Sequence, residues 1–280
     1  MTLIWRGKKT GISRRLTLIG QVLRWSLRIF LIAIVVDLFY LTVAWPDWAS
    51  LAVGSVPKSS FIEEYESRRA NDPSLRRLRW SAVPIASIPK TLIRAVIVAE
   101  DARFYEHGGF DLIAFKEAMN YNLAEGRFAL GASTISQQTV KNLFLSPSRN
   151  PLRKWHELVL TWGMENNLKK RRILELYLNV AEFGPGIYGV QAASATYFGV
   201  PVSGITVEQA AELAATLPSP ENNNPATRSN AFTRRSNKIL NRLLRYPGDA
   251  ADAIAVEFRQ PADPDDGFAP TAGRPPGETW

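Results

Sequence analysis

The stretch Leu92-Ile93-Arg94-Ala95-Val96-Ile97-Val98-Ala99-Glu100-Asp101-Ala102-Arg103-Phe104-Tyr105-Glu106-His107-Gly108 decides how this chain is read. Its apolar opening has the composition of a core segment, and two adjacent carboxylates then put charge at the edge of a hydrophobic interior. Isolated charge there is costly unless it is paired or used. A second polar block interrupts equally apolar surroundings further on: Gly131-Ala132-Ser133-Thr134-Ile135-Ser136-Gln137-Gln138-Thr139-Val140-Lys141-Asn142. From Ile88 to about Tyr246 apolar residues recur at three and four spacing, with no alternating strand run and no Asn-Gly hairpin signal. The expected fold class is therefore mostly α.

The second block reads as a helix with Ser133 or Thr134 as its N-cap. At about 100° per residue, Gln137, Gln138, Lys141 and Asn142 share an arc of roughly 140°, while Val140, Leu143 and Phe144 take the other side. Two amides, a cation and a further amide suit a sugar or a phosphate; the same pattern also fits an ordinary exposed face. A third block, Arg149-Asn150-Pro151-Leu152-Arg153-Lys154-Trp155-His156-Glu157, opens a helix at Pro151 and puts Arg153, Lys154 and Glu157 on one side of it, a pairing that at a surface is worth little. A fourth, Lys169-Lys170-Arg171-Arg172-Ile173-Leu174-Glu175-Leu176-Tyr177-Leu178-Asn179, sets Arg171 and Glu175 one turn apart and leads into the Gly-rich Phe183 to Gly189.

The N-terminus limits the partners. The run from Ile29 to Trp45 is apolar apart from Asp37, and counted from Leu16 it is long enough for a bilayer core of about 30 Å. Arg6, Lys8, Lys9, Arg14, Arg15, Arg24 and Arg28 precede it with no acidic residue, so the positive-inside rule orients the N-terminus to the cytoplasm and everything after Trp48 outward. A cleaved signal peptide fits less well, because the leader is long and lacks a small-x-small site. The expected order is a basic leader (1–15), a transmembrane anchor (16–48), a connector (49–84) resembling a solvated helix near the membrane, the main domain (85–246) and a loose Pro/Gly/Asp-rich tail (247–280). A loop near the lipid is expected between 120 and 132.

With 280 residues, 46% of them hydrophobic, the chain can bury one substantial core. The net charge of +8 favours an anionic partner. There is no cysteine and only two histidines, which removes disulfide scaffolds, thiol chemistry and His-rich metal sites and disfavours a Ser-His triad. Zincin, nucleophile-elbow, Walker and dinucleotide signatures are missing. Ser55-Val56-Pro57-Lys58 and Ser87-Ile88-Pro89-Lys90 match a penicillin-binding Ser-x-x-Lys by spelling alone. Nucleic acid is not an expected partner, since the basic residues lack interleaved stacking aromatics.

Taken together, Glu100-Asp-x-x-Phe104-x-x-His107-x-Gly109, Gly131-x-Ser-Thr-x-x-Gln137-Gln138-x-x-Lys141-Asn142, Arg153-Lys154-x-x-Glu157 and Arg172-Ile-Leu-Glu175-x-Tyr177-Leu-Asn179 resemble the peptidoglycan glycosyltransferase family in order and spacing. The resemblance runs from about residue 85 to 225. With nothing like a transpeptidase following, it points to the monofunctional biosynthetic transglycosylases. It implies a lysozyme-like helical domain behind a single anchor in the cytoplasmic (inner) membrane, with its site on the periplasmic side. It also implies polymerisation of lipid II into β-1,4-linked glycan with release of undecaprenyl pyrophosphate.

By that resemblance Glu100 is the general base, its proton affinity raised by its place at the end of an apolar helix. Glu157 is the second catalytic carboxylate, organising the donor side or a divalent ion such as Mg or Mn. Lys141, Arg149, Arg153 and Lys154 are placed for pyrophosphate. Asp101, Ser133, Thr134, Gln137, Gln138 and Asn142 are expected to contact substrate, and Phe104, His107 and Glu175 to be structural. Lipid II, the growing glycan strand and the membrane are the implied partners, with cell-division or elongation proteins left open. Two rival functions remain at this level: a wall-degrading lysozyme-like enzyme, which would use a glutamate as acid, and an inactive anchored glycan-binding scaffold.

Overall fold

The computed structural model describes residues 11–126, 131–147 and 150–245. The chain divides into two compact units, Met1–Pro46 and Asp47–Trp280. The first contains helix α1 (Gly11–Val43). Within it, the apolar span Leu18–Val43 has 26 residues, and an 18-residue window of that span reaches a mean hydropathy of 2.1. At 1.5 Å per residue that is about 39 Å, long and apolar enough to cross a bilayer. The helix stops at Val43, short of the expected 16–48, because Pro46 cannot continue it and Asp47 caps a new one.

The second unit opens with α2 (Trp48–Val53), α3 (Ser60–Asn71) and β1 (Arg79–Trp80). Then come α4 (Lys90–Glu100), α5 (Leu112–Glu125), α6 (Ile135–Phe144), α7 (Pro151–Asn167) and α8 (Lys170–Val180). The chain continues through β2 (Glu182–Gly184), β3 (Ile187–Tyr188), α9 (Val190–Tyr197), α10 (Val207–Thr216) and α11 (Asn230–Arg245). The mostly α class holds.

Helix boundaries follow capping chemistry. Asp111 caps α5, which ends at Gly126 in the left-handed region (φ 64°). Asn150 caps α7 ahead of Pro151. Thr134, rather than Ser133, caps α6 through a reciprocal box with Gln137.

The core lies where α6 packs on α7 and α8, and where α4, α10 and α11 pack on one another. Leu92, Val96, Ile135, Ile173, Leu174 and Leu176 are fully buried there, each contributing about 1.5–3 kcal/mol of transfer free energy.

Two expectations are corrected. The region after Ile88 is not helical throughout. A small sheet of order β1-β3-β2 forms, β1 parallel and β2 antiparallel to β3. Its strands have two or three residues, too few for an alternating pattern to show. Nor is the connector helix simply solvated. Ile62 and Tyr65 of α3 are buried, and the Ser60 hydroxyl bonds the carbonyls of Asn142 (3.1 Å) and Leu145 (2.8 Å) at the end of α6. Arg172 of α8 donates to the carbonyls of Leu51 and Gly54 and pairs with Glu175, which accepts the Ile85 N–H. The ion pair on α8 is therefore Arg172–Glu175, three residues apart, and it ties the connector to the domain.

Candidate active site

Glu100 is the last residue of α4, whose preceding residues are core. The fold brings two other helices to its carboxylate. Gln138 of α6 donates from Nε2 to Oε2 at 2.8 Å, and Arg235 of α11 donates from Nη2 to Oε1 at 2.9 Å. Tyr177 of α8 in turn donates to Gln138 Oε1 at 3.2 Å, fixing which way the amide faces. Burial pushes the Glu100 carboxyl above the ordinary glutamate range. The Arg235 charge, the Gln138 hydrogen bond and then Lys141 act against that, while Asp101 adds to it.

The polar face expected of the second block is only partly available to a ligand. Asp101, 2% exposed, points inward: Oδ2 accepts the Ile135 N–H at 3.0 Å and Oδ1 lies 2.8 Å from His107 Nε2. Thr134 donates to the Gly109 carbonyl (2.7 Å), and Gln137 Oε1 turns back to the Thr134 N–H (3.0 Å). Asn142 is buried. As folded, Asp101, Thr134 and Gln137 hold the start of α6. Ser133 is exposed, and Gln138 and Lys141 are partly exposed. The competing use of short polar side chains as caps is the physical reason for the difference.

Lys141 sits electrostatically between the two carboxylates. Burial pulls its ammonium below the usual lysine range; Glu157 and Glu100 oppose this, and Arg153 and Lys154 reinforce it. Glu157 is 3% exposed, so its pairing is no surface ion pair. Arg153 Nη1 approaches Oε2 at 3.3 Å and Lys154 Nζ bonds Oε1, while the Lys154 side chain remains 45% exposed. Arg149 lies outside the described residues, as do the basic leader before Gly11, residues 127–130 of the expected loop and the tail from 246. Phe104 is fully buried. With His107 on Asp101 and Glu175 on Ile85, all three residues expected to be structural contact the fold.

Among the described residues Asp101, His107 and Asp111 bring ligand atoms within 4.8 Å of one another. Arg103 already holds both Asp111 oxygens, and Asp111 also accepts the Ala114 N–H at 2.8 Å. The cluster is thus an internally satisfied network.

Two residues escaped sequence reasoning. Arg235 lies 135 positions from Glu100, and no local spacing links them. Glu182 of β2 shares the electrostatic neighbourhood of Lys141, Arg68 and Glu221, and it lies in a strand too short to be foreseen.

The model of the Transglycosylase family matches residues 70–244, well over half the chain and every element described above from β1 to α11. The chain belongs to the Transglycosylase family. Its relatives include a biosynthetic peptidoglycan transglycosylase of Nitrosospira multiformis, 40% identical over 222 residues that cover 79% of this chain and 96% of the relative. One of Burkholderia pseudomallei is 37% identical over 85% of this chain and 89% of the relative. One of Bordetella avium is 45% identical over 68% and 80%. This transglycosylase is accordingly a peptidoglycan glycosyltransferase of cell wall synthesis with a lysozyme-like domain. Its N-terminal apolar helix is consistent with a membrane anchor.

Proposed function

We propose that this transglycosylase polymerises lipid II, with Glu100 as general base and Lys141, Arg153 and Lys154 neutralising the departing pyrophosphate. The observation that carries this reading is the partly desolvated Glu100 carboxylate, held on both oxygens and coupled through Lys141 to a cation-bearing second carboxylate. Glu100 takes the proton of the acceptor 4-hydroxyl as the oxygen attacks the anomeric carbon of the donor. The bond from that carbon to the pyrophosphate oxygen breaks, its electron pair leaves with the pyrophosphate, and the new β link forms with inversion. A raised proton affinity suits the first step, and cations in a water-poor site suit the second. Glu157 holds Arg153 and Lys154 together so that both present charge to one place. Ser133 and Gln138 remain accessible to sugar and phosphate oxygens.

A lipid-borne substrate is supported by the apolar surface of the same domain. Leu112, Phe115 and Leu123 on α5 and Trp155 and Trp162 on α7 are exposed. Phe110, Trp155, Leu158, Val159 and Trp162 line a cavity of about 390 Å³. In our reading this surface rests at the outer, periplasmic face of the cytoplasmic membrane. The basic residues that precede α1 and the positive-inside rule give that orientation.

The test is lipid II polymerisation by the full chain in detergent, wild type against Glu100→Gln, with and without Mg or Mn. Wild type should give lysozyme-digestible polymer, and the variant should lose about 10²–10⁴-fold in rate. Cleavage of finished glycan by a wild type that leaves lipid II intact would refute the reading. The metal arm separates neutralisation by the chain's own cations from neutralisation by an added ion.

A further inference from the structure

The α11 helix is set by its apolar side. Phe232, Ser236, Ile239 and Leu243 are buried against the domain, in the group where α11 meets α10 and α4. That packing delivers Arg235, with a side chain only 13% exposed, to the C-terminal end of α4. One terminal nitrogen serves two acceptors there: Nη2 donates to the Ala99 carbonyl at 3.0 Å and to Glu100 Oε1 at 2.9 Å. The Ala99 carbonyl is one of the carbonyls that a helix end leaves without an intrahelical partner, and a cation at that end of the helix is favoured by the peptide dipoles. The backbone contact fixes the guanidinium relative to α4, and the second hydrogen of the same nitrogen then fixes the carboxylate relative to the guanidinium. Lysine could supply the charge but not this planar two-acceptor geometry.

We propose that Arg235 is a positioning residue for glycan transfer: it orients Glu100 and keeps it ionised until the acceptor hydroxyl delivers its proton. This rests on the reading of Glu100 as base. The groups facing the carboxylate are Arg235 from α11, Gln138 and Lys141 from α6, Asp101 at the end of α4 and Tyr177 from α8. Among them Arg235 is the cation in direct contact with Glu100 and opposes its desolvation most. Without it, the apolar end of α4 would favour a protonated carboxyl that cannot accept a proton. With it, the ionised form is favoured relative to that state and Oε1 is pinned, while Gln138 pins Oε2.

The test is the pH dependence of kcat/KM for lipid II polymerisation by the full chain in detergent, comparing wild type, Arg235→Gln and Arg235→Lys. The acid limb of the wild-type profile should move to higher pH by about one to three units in Arg235→Gln, the range by which an adjacent arginine shifts a carboxyl. Arg235→Lys, which keeps the charge, should give a smaller shift together with a lower kcat. In a Glu100→Gln background, Arg235→Gln should cost no further activity. A uniform loss at every pH with an unmoved limb in both variants, or an additive loss in the double variant, would overturn the role of Arg235 while leaving Glu100 as base. Full polymerisation by Glu100→Gln would instead overturn the base assignment, and this proposal with it. Should Arg235→Gln not fold, the limb of Arg235→Lys decides alone.

Discussion

Glu182 offers a sharp test of how charge is carried beside Lys141. Its carboxyl is pushed up to about 7, first by burial and then by repulsion from Glu221, with Arg68 and Lys141 opposing. Among the described residues nothing donates a hydrogen bond to it. An acid that titrates near 7 in the fold and near 4.5 in the unfolded chain is destabilising once both are ionised, by at most about 3 kcal/mol. The part of the side chain that reaches water reduces this to roughly 1–2 kcal/mol. The sign follows from the order of proton release. Below pH 4.5 both states hold the proton and nothing is lost. Between about 4.5 and 7 the unfolded chain releases it first, so stability falls as pH rises; above 7 the full cost is present. Glu182→Gln mimics the protonated form. It should therefore match wild type in thermal unfolding at pH 4.5 and exceed it above pH 7.5, by roughly 2–8 °C for a chain of this size. The assay is intrinsic fluorescence of the detergent-solubilised full chain from pH 4.5 to 8.5. A Tm difference that stays constant across that range, or a wild type that is the more stable at high pH, would refute the reasoning.

Two glycines with positive φ should separate backbone strain from steric exclusion. A Cβ at Gly189 (φ 79°) would meet the Asn179 carbonyl oxygen at 2.7 Å, whereas one at Gly126 (φ 64°) meets nothing within 4 Å. Gly126→Ala should therefore lose only the left-handed backbone term, about 1–2 kcal/mol, and Gly189→Ala clearly more; equal losses in denaturant unfolding would contradict this. At the apolar surface, Trp155 and Trp162 should be reached by brominated acyl chains in proteoliposomes. Trp155→Phe with Trp162→Phe should lower the quenchable fraction of the emission, and an unchanged fraction would place these side chains away from lipid.

The sequence carried the helices well because their signals are local. Pro151 marks the start of α7, the 131–134 run contains the cap of α6, and the apolar run before Glu100 becomes buried α4. It carried α3 poorly because the seat of Ile62 and Tyr65 depends on elements far along the chain, and a charged 12-residue helix with two buried residues looks solvated when read alone. The site divides in the same way. Arg153, Lys154 and Glu157 meet as their three and four spacing on one helix places them, whereas the electrostatic neighbourhood that Lys141 shares with Glu100 and Glu157 has no local spacing behind it. Asp101, Thr134 and Gln137 were legible as polar but not as already occupied: a helical wheel puts Gln137 beside Gln138, yet the N3 position turns its side chain back to the cap. Arg235 was invisible because the packing of α11 on α4 makes its contact, and no motif spacing encodes that.

The two carboxylates are the same residue type held in opposite ways, which accords with the different roles proposed for them above. Glu157 is flanked by two cations from its own helix, at three and four residues, so their charge stays in place whatever else in the domain moves. Glu100 has one cation, from a helix far along the chain, and one neutral amide. Removing Arg235 would take away the charge that most opposes the desolvation of Glu100 and would push its carboxyl further up. Lys141 links the pair without saturating either, since burial weakens its charge while both carboxylates restore it. For the base proposed above, the packing of α11 supplies the cation in contact with the Glu100 carboxylate.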